Sequence, residues 1–431
     1  MAPHIIWPLR FVLPHHKALR PMWLVGLGLL LYDRLGGRRL LPASRRVAID
    51  ALCGPDVLQP EFQMGFEYAD CWVEDSRLVV LNAVDAATRG AEIHVGTEVV
   101  AARRTPDGWS VDLMEVATGR THTISARGLV NAAGPWVEDV LTRRLGRNTR
   151  SHMRLVKGSH IVVPRLYPGD RAFIFQQADR RIVFAIPYET DFTLIGTTDV
   201  DVTGDPSPPA ASPAEIAYLC EAASTYFVKP VTPADIVWTY AGIRPLYDDG
   251  DDAQSVTRDF VLELDKGADT GNAPLLSIFG GKITTYRRLA EEALERLSPW
   301  FPEATKPWTR GATLPGGDIP VEGFDGFVAD LVAAWPHLPA PLLRRLARAY
   351  GTRTRDLLAG VVETSDLGLH FGAGLHAHEV EWLIHEEWAR TADDVLWRRS
   401  KLGLRISPAQ KEALARFISA RLAEPAAPHR S

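Results

Sequence analysis

Between Asp75 and Arg89 the apolar residues Leu78, Val79, Leu81, Ala83, Val84 and Ala87 recur at helical spacing. They predict a helix with Asp75 as its cap and Arg89-Gly90 as its stop. Glu92 to Val95 and Val99 to Arg104 predict short strands. Pro106-Asp107-Gly108 and Thr118-Gly119 then turn the chain through Trp109 to Glu115 and Thr121 to Ala126, a small β-meander. The run Gly128 to Gly134 is apolar and ends in small residues, which suits a buried parallel strand whose exit another group approaches closely. A helix, a strand, a meander and a buried strand together predict part of a doubly wound α/β domain.

The pattern then changes. Ser159 to Val163, Ala172 to Gln176, Arg181 to Pro187 and Phe192 to Gly196 follow at short spacing with polar turns between them, which predicts an antiparallel sheet. Ser212-Pro213 caps a helix running to about Phe227. Trp238 to Tyr240 and Leu275 to Phe279 resume strands, and Ile283 to Leu297 is a second helix. Trp308 to Gly317 reads as a linker. Beyond it the pattern is helical, with Thr391 and Ser407-Pro408 as start signals and a frayed end from Glu424. The apolar run Met22 to Tyr32 is about half the roughly 20 residues that a spanning helix needs. It is expected as a buried core helix; Arg20, Arg34, Arg38 and Arg39 beside it suit the alternative, a helix lying in a membrane interface.

Composition narrows the classes. A chain of 431 residues suggests roughly two to three domains, and 46% apolar residues with 12 Trp supply their cores. The net charge of -5, with no long block of one sign, argues against nucleic acid as a partner. Cys53, Cys71 and Cys220 form no C-x-x-C, so neither a disulfide framework nor a zinc cluster is expected, and a cytoplasmic location fits. Prolines at positions 3 and 8 interrupt the apolar core that a signal peptide needs.

Several residue groups carry candidate chemistry, each with a structural alternative. The strand Leu275 to Phe279 leads through Gly280-Gly281-Lys282 into a helix start at Ile283-Thr284, where free N–H groups and the positive helix end favour an electron-rich ligand; a capped turn is the alternative. Arg244 and Arg258 sit in expected loops, where guanidinium groups suit a phosphorylated ligand and surface ion pairs are the alternative. His160 stands at the expected mouth of the strand Ile161 to Val163, able to take a proton near neutral pH or to be structural. Ile195 to Asp199 reads as a capped turn. His385-Glu386-Glu387 lacks a second histidine for zinc, and no metal is expected. Arg344, Arg345, Arg348, Arg353 and Arg355 read as a solvated helix face.

Five ordered segments are specific together: Gly65 to Val73, Asn131-Ala132-Ala133-Gly134-Pro135-Trp136, Lys157 to Pro164, Ile195 to Asp199 and Phe279 to Lys282. In this order the chain resembles the FAD-dependent respiratory glycerol-3-phosphate dehydrogenases. The resemblance implies oxidation of sn-glycerol 3-phosphate to dihydroxyacetone phosphate, with hydride passing to FAD and electrons to a membrane quinone. It makes Arg244 and Arg258 the expected phosphate clamp and His160 the candidate base. It puts Ala132, Ala133, Gly134, Trp136, Gly280, Gly281, Lys282, Ile283 and Thr284 beside the cofactor. It also implies a peripheral contact with the cytoplasmic face of the inner membrane and leaves room for a homodimer.

The opening G-x-G-x-x-G turn of that family and its Gly-Gly-Leu-Arg-Tyr segment do not occur in this sequence, and Met1 to His4 match an internal stretch. The expectation is therefore an incomplete doubly wound FAD-binding domain with its first βαβ unit absent. Residues 1–150 would hold the remainder and 151–270 an antiparallel-sheet substrate domain. Residues 271–300 would return to the first domain, with a C-terminal helical domain over 308–425. A related FAD-dependent amine or hydroxy-acid oxidase, an inactive fragment and a non-catalytic interaction protein are the competing readings.

Overall fold

The computed structural model describes residues 2–16, 21–35, 41–147, 153–177, 179, 181–247, 259–267 and 273–424. The chain opens with β1 (Ile6–His15), α1 (Met22–Leu35), β2 (Arg45–Ala48) and β3 (Met64–Val73), and α2 (Asp75–Thr88) follows. The meander is β4 (Thr97–Thr105), β5 (Gly108–Glu115) and β6 (Thr121–Ala126), and β7 (Leu129–Asn131) comes next. A run of strands succeeds it: β8 (Met153–Pro164), β9 (Ala172–Gln176), β10 (Ile182–Tyr188), β11 (Phe192–Gly196) and β12 (Val200–Val202). After α3 (Pro213–Ser224) come β13 (Trp238–Tyr247), β14 (Phe260–Asp265), β15 (Leu275–Gly280) and α4 (Tyr286–Leu297). The C-terminal part carries α5 (Phe324–Ala334), α6 (Ala340–Tyr350), α7 (Ala377–Glu387) and α8 (Pro408–Ala423).

Nine strands form the main sheet, in the order β12-β8-β11-β10-β9-β1-β3-β2 with β13 on β8. All its pairings are antiparallel except β1 with β9. The substrate sheet thus takes three strands from the first 73 residues, which the linear pattern had assigned to the other domain. Its apolar face is covered by α3, whose Leu219, Cys220 and Ala223 pack on Ile161, Val163, Phe173 and Phe175. Each such side chain contributes about 1.5 to 3 kcal/mol by leaving water.

The doubly wound part is a three-stranded sheet, β14-β15-β7, with β15 parallel to β7. Val130 in the middle of β7 is 51% exposed, so this strand is not buried on both sides as expected. Glu92 to Val95 make no ladder in the described structure. Glu74, not Asp75, occupies the cap position of α2.

The helical C-terminal domain has its own core, centred on Leu331, Leu343, Leu346, Tyr350, Leu375 and Val380. A buried ion pair joins it to α2: Arg77 Nη2 donates to Glu387 Oε1 at 2.9 Å and Nη1 to Oε2, while Nε donates to the Ala349 carbonyl at 2.9 Å. Glu387, part of the rejected zinc pattern, therefore serves as a domain tie. The arginine-rich stretch is no uniform solvated face. Arg345 is paired with the buried Glu379, and Arg348 lies over the Phe324 ring at 3.5 Å.

Candidate active site

β8 sorts its residues by the two-residue period of a strand. Lys157, Ser159, Ile161 and Val163 face α3, whereas Val156, Gly158, His160 and Val162 face the other way. His160 is thus inside a strand and not at its mouth. It stands in a row of three, directly opposite Gly196 of β11 on one side and Tyr240 of β13 on the other. Its imidazole stacks on the Tyr240 ring with centroids 4.8 Å apart and planes 6° from parallel. A Cβ at position 196 would stand 2.0 Å from the imidazole, so only glycine leaves the ring its place.

Burial, reinforced by the Arg244 charge, pushes the His160 pKa down to about 4. The ring is therefore neutral at neutral pH, and its Nδ1 is buried without a hydrogen-bond partner. A neutral imidazole with an uncommitted nitrogen can take a proton from a nearby hydroxyl.

Arg244 also lies inside a strand, where a loop was expected. It shares one face of β13 with Trp238, Tyr240 and Gly242, and Gly242 pairs with Gly158 of β8. Its guanidinium donates to the Asp199 carboxylate and, at 3.1 Å, to Thr197 Oγ1. It lies over Gly158, where a Cβ would be 2.6 Å from Nη2, while nothing stands within 4 Å of a Cβ at Gly242. The ground between the guanidinium and the imidazole is consequently a floor of two glycines, open over Gly242 and covered over Gly158 by the guanidinium and Thr197 Oγ1. Arg258 lies outside the described residues.

Under this floor Glu215, in the first turn of α3, ties two motif segments to the cap of its own helix. Its Oε1 accepts from Ser159 Oγ at 2.8 Å and Thr198 Oγ1 at 2.7 Å. Its Oε2 accepts from Ser212 Oγ at 2.7 Å and pairs with Lys157 Nζ at 2.8 Å. Burial alone would raise this carboxyl, but the Lys157 ammonium and the Ser212 and Thr198 donors hold it at about 2. Ile195 to Asp199 is accordingly more than a capped turn: Thr198 is buried in the network, and Thr197 and Asp199 hold Arg244.

The residues expected beside the cofactor meet at the far end of β13. Gly280 and Gly281 have φ of +67° and +98°, and a Cβ at Gly280 would stand 3.5 Å from the Pro245 carbonyl, next to Arg244 in the chain. The Gly134–Trp136 turn runs beside β13 and β15, and Gly134 has φ of +56° with open space around it. Ala132, Trp136, Lys282, Ile283 and Thr284 are exposed and Ala133 is half-buried. Left-handed glycines let main chain approach a ligand closely. The first N–H groups of the helical run from Ile283 have no partner within it. Exposed Trp136 and Ile283 add apolar cover. These residues fit a flat ring system edged with electron-rich acceptor atoms, such as a flavin. A cleft of about 980 Å³ lined by Trp7, Asn82, Leu294, Trp308 and Leu314 includes neither His160 nor Arg244 in its walls. Among the described residues no group of three or more His, Cys, Asp or Glu could hold a metal.

The structure brings His160, Arg244 and the Gly280 turn to one strand, β13, and its neighbours. Sequence reasoning missed Glu215, Tyr240 and Thr197. Glu215 had a local signal, Ser212-Pro213-Ala214-Glu215, whose capping box is complete. Tyr240 had none, since its role follows from strand register.

The chain is similar to known proteins along most of its length. Residues 1–287 match the family described as FAD dependent oxidoreductase, and residues 308–424 match the C-terminal domain of alpha-glycerophosphate oxidase. The glycerol-3-phosphate dehydrogenase of Pseudomonas aeruginosa is 48% identical over 97% of this chain and 80% of its own length. The D-erythritol 1-phosphate dehydrogenase of Brucella abortus is 46% identical over 97% and 83%, and the aerobic glycerol-3-phosphate dehydrogenase of Escherichia coli 44% over 97% and 82%. The crystal structure of the glycerol-3-phosphate dehydrogenase from Bacillus halodurans complexed with FAD superimposes with a TM-score of 0.76 at 26% identity, covering 98% of this chain and 79% of that one. The chain belongs to the FAD-dependent oxidoreductases and, within them, to the glycerol-3-phosphate dehydrogenase family.

Proposed function

We propose that the chain oxidises sn-glycerol 3-phosphate to dihydroxyacetone phosphate and passes the electrons to a membrane quinone. The observation that carries this reading is that Arg244, a fixed cation, and His160, a neutral base, share one face of the paired strands β13 and β8, with open space over Gly242. Arg244 binds the phosphate, with Arg258 as the second half of the clamp. His160 takes the proton of the secondary hydroxyl. Bound FAD supplies the acceptor for the hydride leaving the same carbon. Gly280 to Thr284, with Gly134 and Trp136, hold it, and Lys282 adds a positive charge on its side of the site.

A four-carbon polyol phosphate is the second reading, favoured by the Brucella abortus relative named for D-erythritol 1-phosphate. The test is Arg244→Ala, assayed with an artificial electron acceptor on glycerol 3-phosphate, erythritol phosphate and free glycerol. A lost charge-assisted contact should reduce kcat/KM for the preferred phosphate ester by about 1.5 to 3 kcal/mol and spare free glycerol. Unchanged kcat/KM would remove Arg244 from the site.

The acceptor reading also assigns a membrane surface. No described helix is long and apolar enough to cross a bilayer. α1 exposes Trp23, Leu24, Leu27, Leu30 and Leu31, with Trp23 72% exposed. Arg34 in its last turn and Arg46, on the sheet face that α1 covers, are exposed beside it. Such a helix suits the interface of an anionic bilayer, here the cytoplasmic face of the inner membrane.

A further inference from the structure

The His160 imidazole is the first ring of a longer pile. Beyond Tyr240, the Trp238 ring stacks at 4.9 Å with planes 30° apart, and beyond Trp238 the Trp397 ring stacks at 4.3 Å and 16°. The first three rings stand on the main sheet. Trp397 belongs to the C-terminal domain, on the short helical turn Asp394–Arg399.

The far end of this pile is held from several sides. A Cβ at Gly403 would stand 2.3 Å from the Trp397 ring, so the backbone there backs it directly. Lys401 Nζ donates to the Trp397 carbonyl at 2.6 Å and to Ser76 Oγ of α2 at 3.1 Å. Arg405 donates to Asp191 at 2.7 Å, beside the start of β11. The near end has no such support, because His160 Nδ1 makes no hydrogen bond. A histidine ring turns in a broad torsional well unless something outside it fixes the plane. Here that is the stack on one face and Gly196 on the other.

We propose that Trp397 is a positioning residue for proton transfer: through Trp238 and Tyr240 it presses the His160 imidazole against Gly196 and fixes the angle at which the ring meets the substrate hydroxyl. The C-terminal domain thereby takes part in the chemistry without touching substrate. This rests on the assignment of His160 as proton acceptor.

The experiment compares Trp397→Leu and Trp397→Phe in the full chain. Steady-state turnover of glycerol 3-phosphate with an artificial acceptor is one measurement. The other is the His160 ring-proton resonance in histidine-labelled protein, assigned by its absence in His160→Gln. Trp397→Leu should lower kcat about tenfold with KM almost unchanged, since misorientation of a reacting group acts on the barrier and not on binding, and Trp397→Phe should restore kcat to within about twofold. The His160 resonance, shifted upfield by the Tyr240 ring, should move downfield in Trp397→Leu and stay in Trp397→Phe. Trp238→Met severs the same pile from the sheet side and should reproduce the Leu result, which covers the case of a poorly folded Trp397→Leu. An unmoved His160 resonance in either folded variant, equal losses in Trp397→Leu and Trp397→Phe, or a loss carried by KM would overturn the proposal. Full turnover in His160→Gln would instead overturn the assignment beneath it, while the resonance still reports whether the pile orients the ring.

Discussion

A methyl group at Gly196 would meet the His160 ring, and one at Gly158 would meet the Arg244 guanidinium. The two changes should fail differently. Gly196→Ala displaces the base, so kcat should fall with little change in KM; Gly158→Ala displaces the cation, so KM should rise. Steady-state kinetics on both variants separates the roles, and a common pattern would contradict the split. Glu215 is the other decisive single residue. Glu215→Gln leaves Lys157 without its counter-charge, with only the Ala210 carbonyl to accept from it, and should cost about 1.5 to 3 kcal/mol near neutral pH. Because the folded pKa is depressed to about 2 from 4.5, that contribution is complete above 4.5 and is lost as the pH falls toward 2. Thermal melts of the two proteins should therefore converge across that range. At this scale the sequence showed which residues matter better than how. His160 and Arg244 were legible as motif members, but His160 was expected at a strand mouth and Arg244 in a loop. Their facing relation depends on the pairing of β8 with β13, residues some 80 apart in the chain, which no local pattern encodes.

Among the elements, α1 and α2 make the sharpest contrast. The helical period of α2 was plain, and Leu78, Leu81 and Val84 are buried as the spacing required. α1 is more apolar yet leaves Trp23 and four leucines in the open. An all-round apolar run does not say whether protein or lipid covers it. Flotation with anionic vesicles should carry the protein upward, and Leu24→Ser with Leu27→Ser should reduce the bound fraction; undiminished binding would exclude α1 as the contact. α2 has a second task through Arg77. Glu387→Ala leaves this guanidinium buried and unpaired, which should cost about 3 to 5 kcal/mol, whereas Arg77→Met with Glu387→Met should cost much less. Denaturant midpoints of the three proteins read this directly.

For the whole molecule, the predicted order of a doubly wound part, an antiparallel sheet and a helical end follows the chain well, because each segment has its own period and turn residues. The assignment of early strands to sheets does not, since β1 joins β2 and β3 to the main sheet by pairing with β9, about 160 residues later in the chain. His4 shows how closely the parts are locked. It is fully buried against Gly351 of the C-terminal domain, with neither ring nitrogen hydrogen-bonded. Burial, then the Arg77 and Arg348 charges, push its pKa to about 3. The unfolded chain, with histidine near 6.5, binds protons that the folded chain refuses. The stability held above 6.5 is thus lost as the pH falls toward the folded pKa values of His4 and His160. His4→Leu removes one of these groups. Between pH 7 and 5 its stability should improve against the parent by about 2 kcal/mol. Parallel pH profiles would refute this.

The glycine floor of β8 and β13 also acts as a calliper. Its jaws are stiff: Arg244 is clamped by Asp199 and Thr197, and His160 by the rings behind it. With Arg244 on the phosphate and His160 at the hydroxyl, as proposed, a polyol phosphate would fit only if its reacting hydroxyl stood at the gap's own distance from its phosphorus. Length discrimination among glycerol, erythritol and longer phosphates would then follow from strand pairing. Arg244→Lys, which keeps the charge on a limber stem and gives up the two-pronged grip, should flatten the ratio of kcat/KM values across such a series more than it lowers any one of them.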